Sequence, residues 1–305
     1  MIEIGKNSFM TLEEFIRHEN QTFPDFIKSP LYSCDEEKAM TDDIIKVNEK
    51  NPGYIKYLCN ELNAGYVKGL HDIIQKEPIN KRNNPRLHNI IARLIMNMGI
   101  PMPMVYLYTE EDVNRYYDNE NAIEGTLENG NAFTFGTRDM LYVFVSDLLL
   151  KDKKLTDEEI MSLIGHEIGH ALCNHTVYNH LFVMNVIDVS KVLPVDDVQR
   201  INKLYENNKF HRYNEFTADR ASLIATRSLD AVVGMLKKIS PDGFWDYDHS
   251  KATHPNGKTR VDAVTKFSQS LLYARTIELI DGIAIDKSGF PIDAQALSVE
   301  INKMV

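Results

Sequence analysis

The stretch GHEIGHALCNH, residues 165–175, decides how this chain is read. His166 and His170 stand four apart, so on an α-helix both imidazoles lie on one face and can converge on one ion. Glu167 follows the first histidine. This is the HExxH pattern, whose spacing supplies two zinc ligands and sets a glutamate where it can take a proton from an activated water. The bare pattern recurs by chance in chains rich in His and Glu, so its surroundings carry the decision.

Those surroundings predict a helix. Thr156-Asp157-Glu158-Glu159 is a capping box, in which the Thr hydroxyl and the Glu three residues on satisfy exposed amides at a helix start. The helix is expected from about 157 to 175. Ile160, Leu163, Ile164, Ile168, Ala171 and Leu172 form its apolar stripe, with His166 and His170 at the border, where a cleft can open. On a continuous helix His175, nine residues after His166, lies about 180° around and faces away, which makes it a structural residue. Cys173 lies near the ligand face and reads as a small buried thiol.

A catalytic zinc takes three protein ligands and keeps one position open. A metzincin would need Gly at 173 and His at 176, and Cys173 and Thr176 exclude that arrangement. The segment NEFTADRAS, residues 214–222, offers Glu215 and Asp219 on one face of a second helix expected from about Arg212 to Ser228. Glu215 completes a His/His/Glu set, and Asp219 can accept a hydrogen bond from a ligand histidine and fix its tautomer.

The remainder of the chain limits the class. No apolar run reaches the roughly 20 residues that span a bilayer, because LYVFVSDLLL (141–150) is short and the stretch from Ile90 to Tyr108 is broken by Arg93, Asn97, Pro101 and Pro103. The first twenty residues lack the basic head and apolar stretch of a secretory signal, so a cytoplasmic protein is expected. Formal net charge is −10, with 44 acidic against 34 basic residues, which disfavours nucleic acid as a partner. Three scattered cysteines, Cys34, Cys59 and Cys173, form neither a disulfide framework nor a CxxC zinc site.

Short helical patterns (TLEEFIRHEN, NAGYVKGLHDIIQK) alternate with Pro24, Pro30 and Asn51-Pro52-Gly53 over the first 80 or so residues. From Pro85, Leu87, Ile90, Ile91, Leu94, Ile95 and Met98 repeat at helical spacing, and Gly99 and Pro101 stop the helix. Strands are expected at 104–109, 131–136 and 141–146, and a third helix from about Thr259 to Leu279. The interval 176–210 reads as partly helical. Strands clustered among many helices indicate an α+β fold.

NAFTFG (131–136), HEIGH (166–170), NEFTAD (214–219) and THPNGKTRV (253–261), in that order along the chain, resemble the zinc metalloendopeptidases of the CAAX prenyl protease and HtpX type, metallopeptidase family 48. The resemblance covers roughly residues 85–270. It implies a mainly helical, zincin-like metalloprotease fold with a small β-sheet whose edge strand lines the active-site cleft. It also implies one zinc per chain on His166, His170 and Glu215, with Glu167 as catalytic base and Asp219 behind a ligand histidine. Asn131, Ala132 and Phe133 would then grip the backbone of an extended substrate by strand addition. His254 would stabilise the oxyanion of the tetrahedral intermediate, with Arg260 holding the site's charges.

The chain departs from that family in two places. The interval 176–210 cannot span a membrane, so prenylated membrane substrates are not expected, and Pro-Asn-Gly-Lys-Thr between His254 and Arg260 is looser than the usual pattern. The expected organisation is a helical N-terminal extension over 1–80, a zinc metallopeptidase domain over 81–270 and a C-terminal segment, 271–305, packed on the same domain. The expected activity is hydrolysis of extended or unfolded polypeptides. A zinc-containing peptide-binding or chaperone-like protein is the alternative, and a terminal extension that plugs the cleft would make the enzyme latent.

Overall fold

Local capping chemistry sets the element boundaries. The computed structural model describes residues 31–50, 69–118, 127–128, 130–137, 140–176, 206–240 and 245–305, with residues 178, 196, 199 and 203. The expected helix over 11–20, the turns at Pro24, Pro30 and 51–53, Cys59 and most of 176–210 lie outside them.

Helices α1 (Asp35–Lys50) and α2 (His71–Ile74) precede α3 (Pro85–Met98). In α3 the Asn84 side chain accepts from the Leu87 amide, Pro85 occupies a position that needs no amide donor, and Gly99 ends the helix at φ 66°. Strand β1 (Met104–Tyr108), α4 (Glu110–Tyr117), β2 (Ala132–Thr137), β3 (Met140–Ser146) and α5 (Asp147–Asp152) follow. Next come α6 (Asp157–Leu172), α7 (Lys209–Thr226), α8 (Leu229–Ile239), α9 (Gly257–Ser268), α10 (Leu271–Asp281) and α11 (Ala294–Asn302).

The three strands make one mixed sheet in the order β1-β3-β2, with β3 parallel to β1 and antiparallel to β2. Side-chain alternation divides it into two faces. Val105, Leu141, Val143 and Val145 join the aliphatic core built by α3, α6 and α7. Tyr106, Tyr108, Phe135, Tyr142 and Phe144 form an aromatic layer on the other face, with Phe133 stacked on Phe144 at 4.9 Å and Phe135 on Tyr142 at 4.8 Å. Strands β1 and β2 are the two edges of this sheet, and β2 is the one beside α6. The fold is therefore α+β, mainly helical, with a small sheet whose edge strand β2 lies beside α6.

Three boundaries differ from the sequence expectation. The third helix divides, because Ser270 caps α10 by accepting from the Tyr273 amide after α9 has closed at Gln269. Helix α7 starts earlier and ends earlier than expected, at Arg227 in a left-handed conformation. Helix α6 stops at Leu172 and does not reach 175: Asn174 adopts φ 56°, a region that Asn tolerates better than most residues. Outside 81–270, Tyr32 and Cys34 before α1 and Leu297 and Ile301 of α11 belong to the same aliphatic core. Among the described residues, no helix is long and apolar enough to cross a membrane.

Candidate metal centre

The HExxH segment lies on α6, started by the capping box the sequence predicts: the Thr156 hydroxyl accepts from the Glu159 amide and the Glu159 carboxylate accepts from the Thr156 amide at 2.7 Å. Helix α7 crosses it at close range because small residues face each other. A Cβ on Gly169 would lie 2.6 Å from the Ala221 Cβ, and one on Gly165 2.6 Å from the Ala225 Cβ. Each glycine directly precedes a histidine of the motif. The close approach lets the short side chains of α7 reach both imidazoles.

His166, His170 and Glu215 present their ligand atoms within 4.8 Å of one another. The two Nε2 atoms are 3.1 Å apart, and each is 3.5 Å from a different oxygen of Glu215. Two imidazole nitrogens and a carboxylate facing one small space offer lone pairs that hydrogens on the rings cannot all satisfy, and one divalent cation can. Two neutral imidazoles and a carboxylate with room for a further ligand suit zinc.

The surrounding charges are ordered. Asp219, fully buried, accepts two hydrogen bonds from Arg260, Nη2 to Oδ1 at 2.7 Å and Nε to Oδ2 at 2.9 Å, and lies 3.1 Å from Nδ1 of His166. Arg260 also reaches Glu215, Nη1 to Oε2 at 3.2 Å. Burial pushes the Glu215 carboxyl up, but His254, Arg260, His170 and His166 outweigh it and hold it well below the usual range. Burial raises Glu167 to about 7, with His166 and Arg260 opposing and Glu215 adding to the rise. A carboxyl held there can exchange a proton near neutrality.

His254 sits in the loop before α9 with its side chain 65% exposed and Nε2 3.4 Å from Glu215 Oε1. Buried Arg212 ties that loop to the chain entering α7, donating to the carbonyls of Ala252 at 2.8 Å and of Asn207 at 2.7 Å.

A cavity of about 380 Å³ opens over these groups, lined by His166, Glu167, His170, Glu215, His254 and Arg260 on one side and by Gly130, Asn131, Ala132 and Phe133 on the other. The Ser146 amide donates to the Asn131 carbonyl at 3.0 Å, continuing the β2–β3 register. By antiparallel alternation, residues 131, 133 and 135 turn their backbone groups toward β3, and Ala132 and Thr134 turn theirs outward. The Asn131 side chain folds over that outer edge, where Oδ1 accepts from the Ala132 amide at 2.8 Å.

The structure thus brings together His166, Glu167, His170, Glu215, Asp219, His254, Arg260 and the Asn131–Phe133 segment. It corrects the reading of His175. Because the chain turns at Asn174, this ring does not face away but lies with Nδ1 2.8 Å from Nδ1 of His170. Its Nε2 meets Glu37 of α1 at 3.0 Å. Burial lowers His175, but Glu37 and the neighbouring thiol Cys173 outweigh it and raise the ring to about 10. Glu37 was not singled out from sequence, where nothing marks it among the acidic residues opening α1. Cys173 is buried, its Sγ 3.5 Å from the Ser33 hydroxyl.

This site, on a mainly helical fold with a flanking edge strand, has the donor set and layout of a mononuclear metal centre. The chain belongs to Peptidase family M48, whose sequence profile matches residues 81–268, more than half of its length. It is similar to the Protease HtpX homolog of Bacteroides fragilis, 26% identical over 115 residues, which is 37% of this chain and 29% of that protein. The Protease HtpX homolog of Sulfurovum sp. is 28% identical over 94 residues (31% of this chain, 28% of that protein), and the Protease HtpX of Legionella pneumophila 29% over 97 residues (32% and 28%). The chain aligns with less than a third of the length of these relatives. No solved structure matches it significantly.

Proposed function

We propose that this chain is a zinc-dependent endopeptidase acting on extended or unfolded polypeptides. Membership of the M48 family supports the reaction class. The observation that carries the reading is that one cavity joins a His/His/Glu donor set, the buried carboxyl of Glu167 and the outward-facing edge of β2. A zinc ion held by His166, His170 and Glu215 would supply Lewis acidity toward water and the scissile carbonyl.

The other roles belong to the chain itself. Strand β2 pairs with an extended substrate through the outward carbonyl of Ala132 and the outward backbone groups of Thr134, while the Asn131 side chain holds the Ala132 amide, a grip that reads main chain and leaves selectivity to side-chain pockets. Glu167 takes the proton of the attacking water and returns it to the leaving amine, which a carboxyl near neutrality can do in both directions. His254, exposed at the cavity mouth, donates toward the oxygen that gains charge. Asp219 accepts from Nδ1 of His166 and so leaves Nε2 of that ring free as a ligand, while Arg260 balances the two buried carboxylates.

The test is cleavage of an unfolded protein by the zinc-loaded wild type and by Glu167→Gln, with mass-spectrometric mapping of products. Wild type should cut, and the variant should bind one zinc and lose at least about a hundredfold in turnover. A Glu167→Gln enzyme as fast as wild type would overturn the assignment of the base. A zinc-loaded wild type that binds unfolded chains without cutting them would overturn the endopeptidase reading.

A further inference from the structure

His170 faces Glu215 and His166 through Nε2, and its other nitrogen opens a second line of contacts. Nδ1 of His170 lies 2.8 Å from Nδ1 of His175, and Nε2 of His175 lies 3.0 Å from Oε1 of Glu37. The Thr217 hydroxyl donates to the second oxygen of Glu37 and accepts from the Cys34 amide at 3.1 Å. His175 is 1% exposed and Glu37 2%, so water does not compete for these bonds. The segment before α1 is fixed to α7 as well, since Arg220 donates to the Tyr32 carbonyl at 2.8 Å.

We propose that Glu37 and His175 are positioning residues of the metal centre, a carboxylate–imidazole line that holds His170 in the orientation and tautomer a metal ligand needs. This rests on the reading of His166, His170 and Glu215 as the zinc ligands. The hydrogens along the line account for one another. A neutral imidazole that binds a metal through Nε2 carries its hydrogen on Nδ1. With an ion on its Nε2, His170 therefore donates from Nδ1 to Nδ1 of His175, and the hydrogen left to His175 is the one on Nε2 that goes to Glu37; the second proton that Glu37 favours on His175 when no ion is bound is given up in that arrangement. No ring nitrogen in the line lacks a partner.

The arrangement mirrors the other ligand. Nδ1 of His166 meets a buried carboxylate directly, at Asp219, and Nδ1 of His170 meets one through an intervening imidazole, at Glu37. Both imidazoles gain basicity toward the metal from the carboxylate behind them. Asp219 lies within the stretch that matches the family profile, residues 81–268, and Glu37 lies outside it. The segment before and at the start of α1 therefore contributes a working part of the centre in this chain.

Glu37, Cys173 and His175 also have ligand atoms within 4.8 Å of one another, which raises a second metal ion as the competing explanation. Both nitrogens of His175 are engaged by His170 and Glu37, which favours the hydrogen-bonded line.

The test measures zinc affinity and stoichiometry of the full chain by competition with a chromophoric chelator, with the unfolding midpoint followed by circular dichroism. Wild type should bind one zinc. His175→Ala should weaken it by about 10- to 100-fold, and the near-isosteric Glu37→Gln by up to about tenfold with little change in the unfolding midpoint. Ser298→Ala removes a bond from α11 to Glu36 on the same helix and should bind zinc as wild type does, which separates loss of the line from loosening of α1. Folded Glu37→Gln and His175→Ala proteins with wild-type affinity would overturn the proposal, provided His166→Ala has lost the ion. Should His166→Ala keep it, the ligand reading itself fails. If His175→Ala does not fold, Glu37→Gln decides alone. Two zinc ions per chain, the second lost in Cys173→Ser, would also overturn it.

Discussion

Gly169 on α6 meets Ala221 on α7 so closely that a methyl group in place of its hydrogen would lie 2.6 Å from the Ala221 Cβ and 3.0 Å from the Ala218 backbone. This contact sets the separation at which Glu215 and Asp219 meet the two histidines. Gly169→Val should therefore cost about 1–3 kcal/mol in denaturant unfolding by overpacking. Its zinc affinity should fall as well, because the displaced helix carries one ligand and the partner of another. A folded Gly169→Val protein with wild-type affinity would show that the ligand spacing is set elsewhere.

Asp219 offers a sharper separation of fold from metal. Removing it as Asp219→Ala leaves the buried guanidinium of Arg260 without its bidentate partner, and breaking such a pair costs about 3–5 kcal/mol. Asp219→Asn keeps the shape and one acceptor oxygen. It should stay folded while zinc affinity drops by about 10- to 100-fold, since the amide is a poorer partner for Nδ1 of His166. Equal zinc affinity in Asp219→Asn and wild type would remove Asp219 from the centre and leave it a structural anchor for Arg260.

Much of this geometry can be read from the chain because it follows from short-range spacing. The Thr156–Glu159 box marks the start of α6, the HExxH period puts His166 and His170 on one face, and Glu215 and Asp219 repeat the same four-residue step on α7. The three strands announce themselves by β-branched and aromatic alternation. What escaped depends on one backbone angle and on contacts between distant segments. The end of α6 turns on Asn174, a residue compatible with helix and with the left-handed region alike, and that choice swings His175 from the far side of the helix to the back of His170. Glu37 is 138 residues away from His175 in sequence, and no local pattern marks a pairing at that distance. The Gln269–Ser270 break escaped for the opposite reason: apolar residues continue at helical spacing across it, while the Ser270 cap interrupts the backbone.

Asn131 tests the substrate grip. Its side chain is exposed and bonds the next amide, so Asn131→Ala should leave stability within about 0.5 kcal/mol of wild type. If the outer edge of β2 receives substrate, the same change should raise KM for an extended peptide several-fold while kcat moves little, because binding shared by ground state and transition state is what it removes. An unchanged KM would mean that the Asn131 side chain takes no part in holding the peptide.

His254 separates a charge stabiliser from a ligand. Its ring is largely exposed and stands 3.4 Å from Glu215, so His254→Ala should fold normally and retain zinc. A donor aimed at the oxyanion is worth on the order of 3 kcal/mol, which predicts a fall of about a hundredfold in kcat with KM little altered. Steady-state kinetics and zinc competition on the same preparation decide the point. A fall in kcat at wild-type zinc affinity places the ring on the developing charge, whereas a parallel loss of zinc would assign it to holding the ion, and an unchanged kcat would remove it from the chemistry.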